Sequence, residues 1–190
     1  MSGRDTIIRS LQDVGLAGWF GGSLMGAIGL NGGAATASSP AERLTISSAG
    51  WARWAPVQWA LIGAHALGGI ALIFSNKERL ATQGEARTNT IVKTCLELAA
   101  GAVTVYSGFL GMKMAKNAPQ GTEGVTEPAD GASTELTSAQ KQQKVLQWVI
   151  PTLTAVLLVL GAQQGEQQRP VAGRLKGKAD RLAALTLRRR

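Results

Sequence analysis

The chain has a single histidine, His65, in the middle of an uncharged run from about Trp54 to Asn76. Imidazole is the side chain whose charge changes most readily near neutral pH. Among apolar residues it is costly unless it faces a bundle interior or a wet cavity. Such a residue offers proton transfer, ligand binding or a metal contact. Its bland alternative is a neutral ring bonded to a backbone carbonyl or a hydroxyl of a neighbouring helix. Glu97 is the second ionisable group inside an apolar run. It follows Lys93 by four residues, the spacing at which side chains meet on one helix face. Pairing with Lys93 or reaching out to the interface is its simplest role, and a place in a polar pathway is the other. Counted from the ends of their runs, His65 and Glu97 fall at different depths, which predicts no direct pair.

Other chemistry is thinly represented. Cys95 is the only cysteine, so neither an intrachain disulfide nor a cysteine metal cluster can form. There is no GxxxxGK[ST] phosphate loop, no GxSxG and no HExxH. The sequence therefore predicts no catalytic residue, no metal site and no cofactor.

The elements that must hold His65 and Glu97 are four uncharged or nearly uncharged stretches, about 14–37, 54–76, 94–112 and 145–163. Each is long enough to cross a hydrocarbon layer of about 30 Å as a helix rising about 1.5 Å per residue. Mean hydropathy is only +0.05, because these blocks alternate with charged ones. The expected fold class is an all-α integral membrane protein, a four-transmembrane-helix bundle with Gly-rich helix contacts. Residues 1–13 are expected as an amphipathic segment at the membrane surface, followed by a transmembrane domain over 14–165 and a basic tail over 166–190. Arg4 and Arg9 precede an apolar run, but Asp5 and Asp13 interrupt the region. The run also exceeds a signal core in length, so it is expected to be kept as the first span.

That first span carries Gly15, Gly18, Gly22, Gly26, Gly29 and Gly33, three or four apart. At helical period they share one stripe, a face that permits close backbone packing between helices in lipid. The partner is either another helix of the chain or a second copy. Trp51, Trp54, Trp59 and Trp148 are expected near one membrane interface and Trp19 near the other. Residues 38–53 read as a loop opened by Pro40. Residues 113–144 are a polar connection, and the Pro, Gly and Thr of 117–140 predict a mobile loop with no core.

The net charge of +8 is spread unevenly. Lys and Arg number two in the N-terminal segment, four over 77–93 and eight in the tail, against two over 38–53 and four over 113–144. Basic loops stay in the cytoplasm, so both termini are expected there. The tail residues Arg174, Lys176, Lys178, Arg181, Arg188, Arg189 and Arg190 are expected to meet anionic lipid headgroups. No aromatic residue stands among them, which disfavours nucleic acid as a partner. The Ala and Gly content suggests a bacterial plasma membrane.

Two functions of different class follow. One is a non-enzymatic structural, assembly or accessory component of the membrane, acting with a homo-oligomer or a membrane-protein partner. The other is a small transporter, channel or holin-like pore using His65 and Glu97. A membrane subunit of a redox complex is a further alternative.

Overall fold

A computed structural model describes the backbone of residues 3–82 and 84–187, and the side chains of residues 6–77, 81–82, 84 and 87–163. It divides into two compact units, Met1–Leu157 and Leu158–Arg190. The second is helical as far as Leu187. The first holds the rest of the architecture: α1 (Gly3–Met25), a π-helical turn (Gly26–Leu30), α2 (Asn31–Ala35), α3 (Pro40–Ser75), α4 (Lys77–Thr82), α5 (Gly84–Lys116) and the start of α6 (Thr134–Leu187). A 3-10 turn (Ala118–Gln120) and an antiparallel pair of short strands, β1 (Thr122–Gly124) and β2 (Glu127–Pro128), fill the connection between α5 and α6.

Among the described residues three stretches are long and apolar enough to cross a membrane: Pro40–Ser75, Arg87–Lys116 and Thr134–Gln163. The first segment is not among them. Its N-terminal half carries Arg4, Asp5, Arg9 and Asp13, and its apolar half is divided by the π turn.

The folded chain buries many polar residues and exposes many large apolar ones. Its buried positions include Ser23, Asn31, Ser47, Gln58, His65 and Thr104, while Leu67, Phe74, Leu98, Phe109, Met112 and Val145 are exposed. Exposed apolar area on this scale marks contact with lipid or a partner.

α1 and α3 form an antiparallel pair through glycine. A Cβ on Gly15 would stand 2.5 Å from the Leu61 carbonyl oxygen and 2.7 Å from the His65 nitrogen, so only glycine lets these backbones meet. Gly18 takes the Leu61 side chain, Gly22 the Trp54 indole and Gly26 the Trp51 indole. From α3, Gly68 reciprocates against Gln12. The stripe then departs from helical expectation. Gly29 meets only its own neighbour Met25, and Gly33 meets nothing within 4 Å. The π turn is the reason. It inserts one surplus residue, so the inward face continues instead through Leu30, which packs on Gly50, and through buried Asn31 and Ala34.

Three further expectations need correction. Residues 40–53 are not a loop but the first turns of α3, because Pro40 occupies a first-turn position where its missing N–H costs nothing. Trp19 is not an interface anchor: it is buried, and its Nε1 donates to Thr104 Oγ1 at 3.2 Å. Residues 117–140 are not coreless. Val125, Ala118, Leu136 and Ala139 join Leu44, Leu110, Met114 and Ala34 in one apolar cluster. Polar groups complete this cap. Arg43 donates to the carbonyls of Ala37, Thr122 and Glu123 at 2.9, 3.0 and 2.7 Å. Buried Gln140 donates to Thr122 Oγ1 at 2.6 Å and to the Val125 carbonyl at 3.0 Å.

Candidate functional site

His65 and Glu97 are together. The imidazole Nε2 lies 3.3 Å from Glu97 Oε1, with the His65 side chain 4 % exposed and that of Glu97 26 % exposed. The contact lies off the line of an aligned hydrogen bond and is an ion pair only when the ring is protonated. A depth count from apolar runs misses this pairing because α5 begins at Gly84, ten residues before its apolar run. His65 lies ten residues before the end of α3 at Ser75, and Glu97 thirteen after the start of α5 at Gly84. Measured from their shared end of the hairpin, the two are nearly level.

The ring is held from its other side. His65 Nδ1 is 2.9 Å from the Gln12 carbonyl oxygen. A carbonyl only accepts, so Nδ1 carries the hydrogen. Gln12 can come this close because Gly15 and Gly68 remove the side chains that would separate α1 from α3. With Nδ1 committed, a neutral ring turns the lone pair of Nε2 toward the carboxylate. Two acceptors facing each other are relieved by a single proton, on the imidazole or on the carboxyl.

Charges continue away from it on one side. Lys93 stands within electrostatic range of Glu97, Asp13 and Arg9. On the other side the Trp19 ring meets the His65 ring edge-on, with centroids 6.5 Å apart and planes at 62°. Through its bond to Thr104, Trp19 ties α1 to α5 immediately beside the pair.

Thr104 also belongs to the wall of a cavity of about 290 Å³ enclosed by α1, α3, α5 and α6. Amides and hydroxyls furnish its polar wall: Ser23, Asn31, Gln58, Thr104, Gln143 and Gln147. No charged residue lines it among those described. Several of these groups are mutually satisfied. Asn31 Oδ1 accepts from Ser47 Oγ at 2.9 Å and Trp51 Nε1 at 3.0 Å, while its Nδ2 donates to Gln147 Oε1 at 3.0 Å. Gln143 Nε2 donates to Ser107 Oγ at 2.8 Å. Ser23 Oγ, by contrast, is buried without a partner.

Attention to ionisable residues alone leaves this cavity unseen. A signal was present, since Asn31, Gln58, Thr104 and Gln147 all fall within apolar runs. Amides and hydroxyls are held inside a spanning bundle because hydrocarbon offers them no partner.

The remaining expected residues are placed apart from the pair or not at all. Cys95 is exposed. Among the described residues no three His, Cys, Asp or Glu side chains gather to hold a metal. The tail residues Arg174, Lys176, Lys178, Arg181, Arg188, Arg189 and Arg190 lie outside the described side chains. Comparison with protein-family models, with curated proteins and with solved structures gave no match to this chain.

Proposed function

We propose that this is a small multi-pass membrane protein whose activity is linked to proton binding, with the His65–Glu97 pair as the group that takes up and releases the proton. The first segment serves as the fourth crossing beside α3, α5 and α6, and both termini face the cytoplasm. The observation that carries the proposal is the 3.3 Å approach of His65 Nε2 to Glu97 Oε1 while Nδ1 is fixed on Gln12. A titratable pair between two helices that expose apolar residues outward is expensive to keep without a use. Its position at the α3–α5 end, with Lys93, Asp13 and Arg9 in range, gives a proton a polar approach from one side. Trp19 stands between the pair and the wall of the cavity, so exchange with the other side requires that ring to move.

An assembly role has less to draw on. Gly15, Gly18, Gly22 and Gly26 are filled from α3 of the same chain, leaving Gly29 and Gly33 as the open positions of that stripe.

The test is proton movement in liposomes loaded with a pH dye, with the membrane potential clamped by potassium and valinomycin. The full-length protein should admit protons under an inward pH gradient. His65→Gln and Glu97→Gln should each fall to the rate of empty liposomes while keeping the parent's melting temperature in detergent. Equal flux in parent and in both folded variants would remove the pair from the mechanism. No flux in the parent would remove passive proton movement and leave only coupled binding.

A further inference from the structure

We infer that the cavity is a binding site for a neutral, hydroxyl-bearing amphiphile, such as a lipid with an uncharged hydroxyl head, which enters sideways between α3 and α5. The inference rests on the membrane reading of α3, α5 and α6 and is independent of proton movement. Three features of the cavity select this class of ligand.

The first is unspent hydrogen-bonding capacity without charge. Ser23 lines the cavity, but its unpartnered Oγ is itself closed off, so the capacity offered to a ligand comes from other groups. Gln58 is buried in the same wall with no hydrogen bond among the described residues. Two prolines add acceptors. Pro56 in α3 and Pro151 in α6 lack an N–H, so the carbonyls of Ala52 and Gln147, four residues earlier, lose their helical donor. Ala52 and Gln147 both line the cavity. An amide that donates and accepts, beside carbonyl oxygens that accept, matches a group that does both. A hydroxyl is that group. An anionic or cationic head would surrender its hydration to a wall holding no countercharge.

The second feature is the mouth. Ala52 and Trp59 of α3 face Met112 and Ala115 of α5 across it, and all four are exposed lining residues. Trp59 is 49 % and Met112 61 % exposed. These side chains suit an acyl chain, and a purely water-soluble ligand would have no use for them. A Cβ on Gly108 would meet nothing within 4 Å, so there is open space here for a large side chain to fill.

The third is size. A volume of about 290 Å³ accepts a head and the first few methylenes of a chain, not a whole lipid. The remainder of the ligand must therefore leave through the apolar mouth.

The probe is a monoacylglycerol with a dibrominated acyl chain, because bromine quenches indole fluorescence on contact and Trp51 and Trp59 line the cavity. Full-length protein is placed in phosphatidylcholine nanodiscs and the probe is titrated in. Saturable quenching is expected, reversed by unbrominated monoacylglycerol but not by a fatty acid of the same chain length. Brominated phosphatidylcholine should quench only in proportion to its share of the bilayer. Gln58→Leu, which removes the donor, and Gly108→Leu, which closes the mouth, should each abolish the saturable part. Both must melt as the parent does. His65→Gln should retain it, which separates this site from the proton-binding pair. The inference is overturned if monoacylglycerol quenches no differently from phosphatidylcholine in the unmutated protein, or if the fatty acid displaces it equally well. Saturable quenching that persists in folded Gln58→Leu and Gly108→Leu also overturns it.

Discussion

A ring nitrogen bound to a backbone carbonyl is no longer free to choose its tautomer. That is the condition of His65, whose Nδ1 is fixed on Gln12 so that only Nε2 remains to exchange a proton. The consequence is directional: protonation must involve the face that looks at Glu97. The proton then has two resting places, the imidazolium with a carboxylate or the neutral ring with a carboxylic acid. Infrared difference spectroscopy distinguishes them. Acidification of the reconstituted protein should change either an imidazolium band or a carboxylic-acid carbonyl band, and the change should vanish in both His65→Gln and Glu97→Gln. A band that survives in one of them would mean the two groups titrate separately. Sequence alone reveals each residue and its cost. It does not reveal the pair, because their relative height depends on where α5 starts, and charged and polar residues before its apolar run belong to that helix.

At the scale of elements, the α1–α3 contact is set by where side chains are missing. Gly15 brings the helix backbones together, and Gly22 and Gly26 receive tryptophan rings, so loss of space has different meanings along one stripe. Gly15→Leu has no flexible side-chain end to displace, only the Leu61 carbonyl and the His65 backbone nitrogen and Cβ, and should cost about 1–3 kcal/mol, as overpacking typically does. Gly33→Leu meets open space and should leave the melting temperature in detergent unchanged. Equal loss in both variants would mean that helix flexibility, not packing, sets the effect. The glycine spacing is legible in the sequence as far as Gly26. Beyond it, a straight helix misassigns Gly29 and Gly33, because no residue pattern in GAIGL announces a π turn. The cap over 117–140 was hidden for a related reason. Its core is assembled from α2, α3, α5 and α6, and a window of local composition reads only its prolines, glycines and threonines.

For the whole molecule, the governing fact is polar groups held inside beside an apolar outer surface. Amides, hydroxyls and the histidine share the interior with an apolar core, while many large aliphatic and aromatic residues face outward. That arrangement was partly legible: hydropathy marks the helices suited to a membrane, but which side of each carries the polar groups follows only from their packing. The π turn at Gly26–Leu30 bears on this arrangement as a whole. An α-helix advances about 100° per residue, so removing a residue from α1 twists everything beyond it away from α3. The π turn already holds one residue too many. Deleting Ile28 should let it relax into ordinary α-helix with Gly15–Gly26 and Asn31–Ala34 still aimed at α3, whereas deleting Ala17 should misalign the two halves. Thermal unfolding followed by tryptophan emission would tell the variants apart, with the shorter chain lacking Ile28 expected to melt near the parent. Locally, then, this protein has a spare link, and its chain can be shortened there without losing phase.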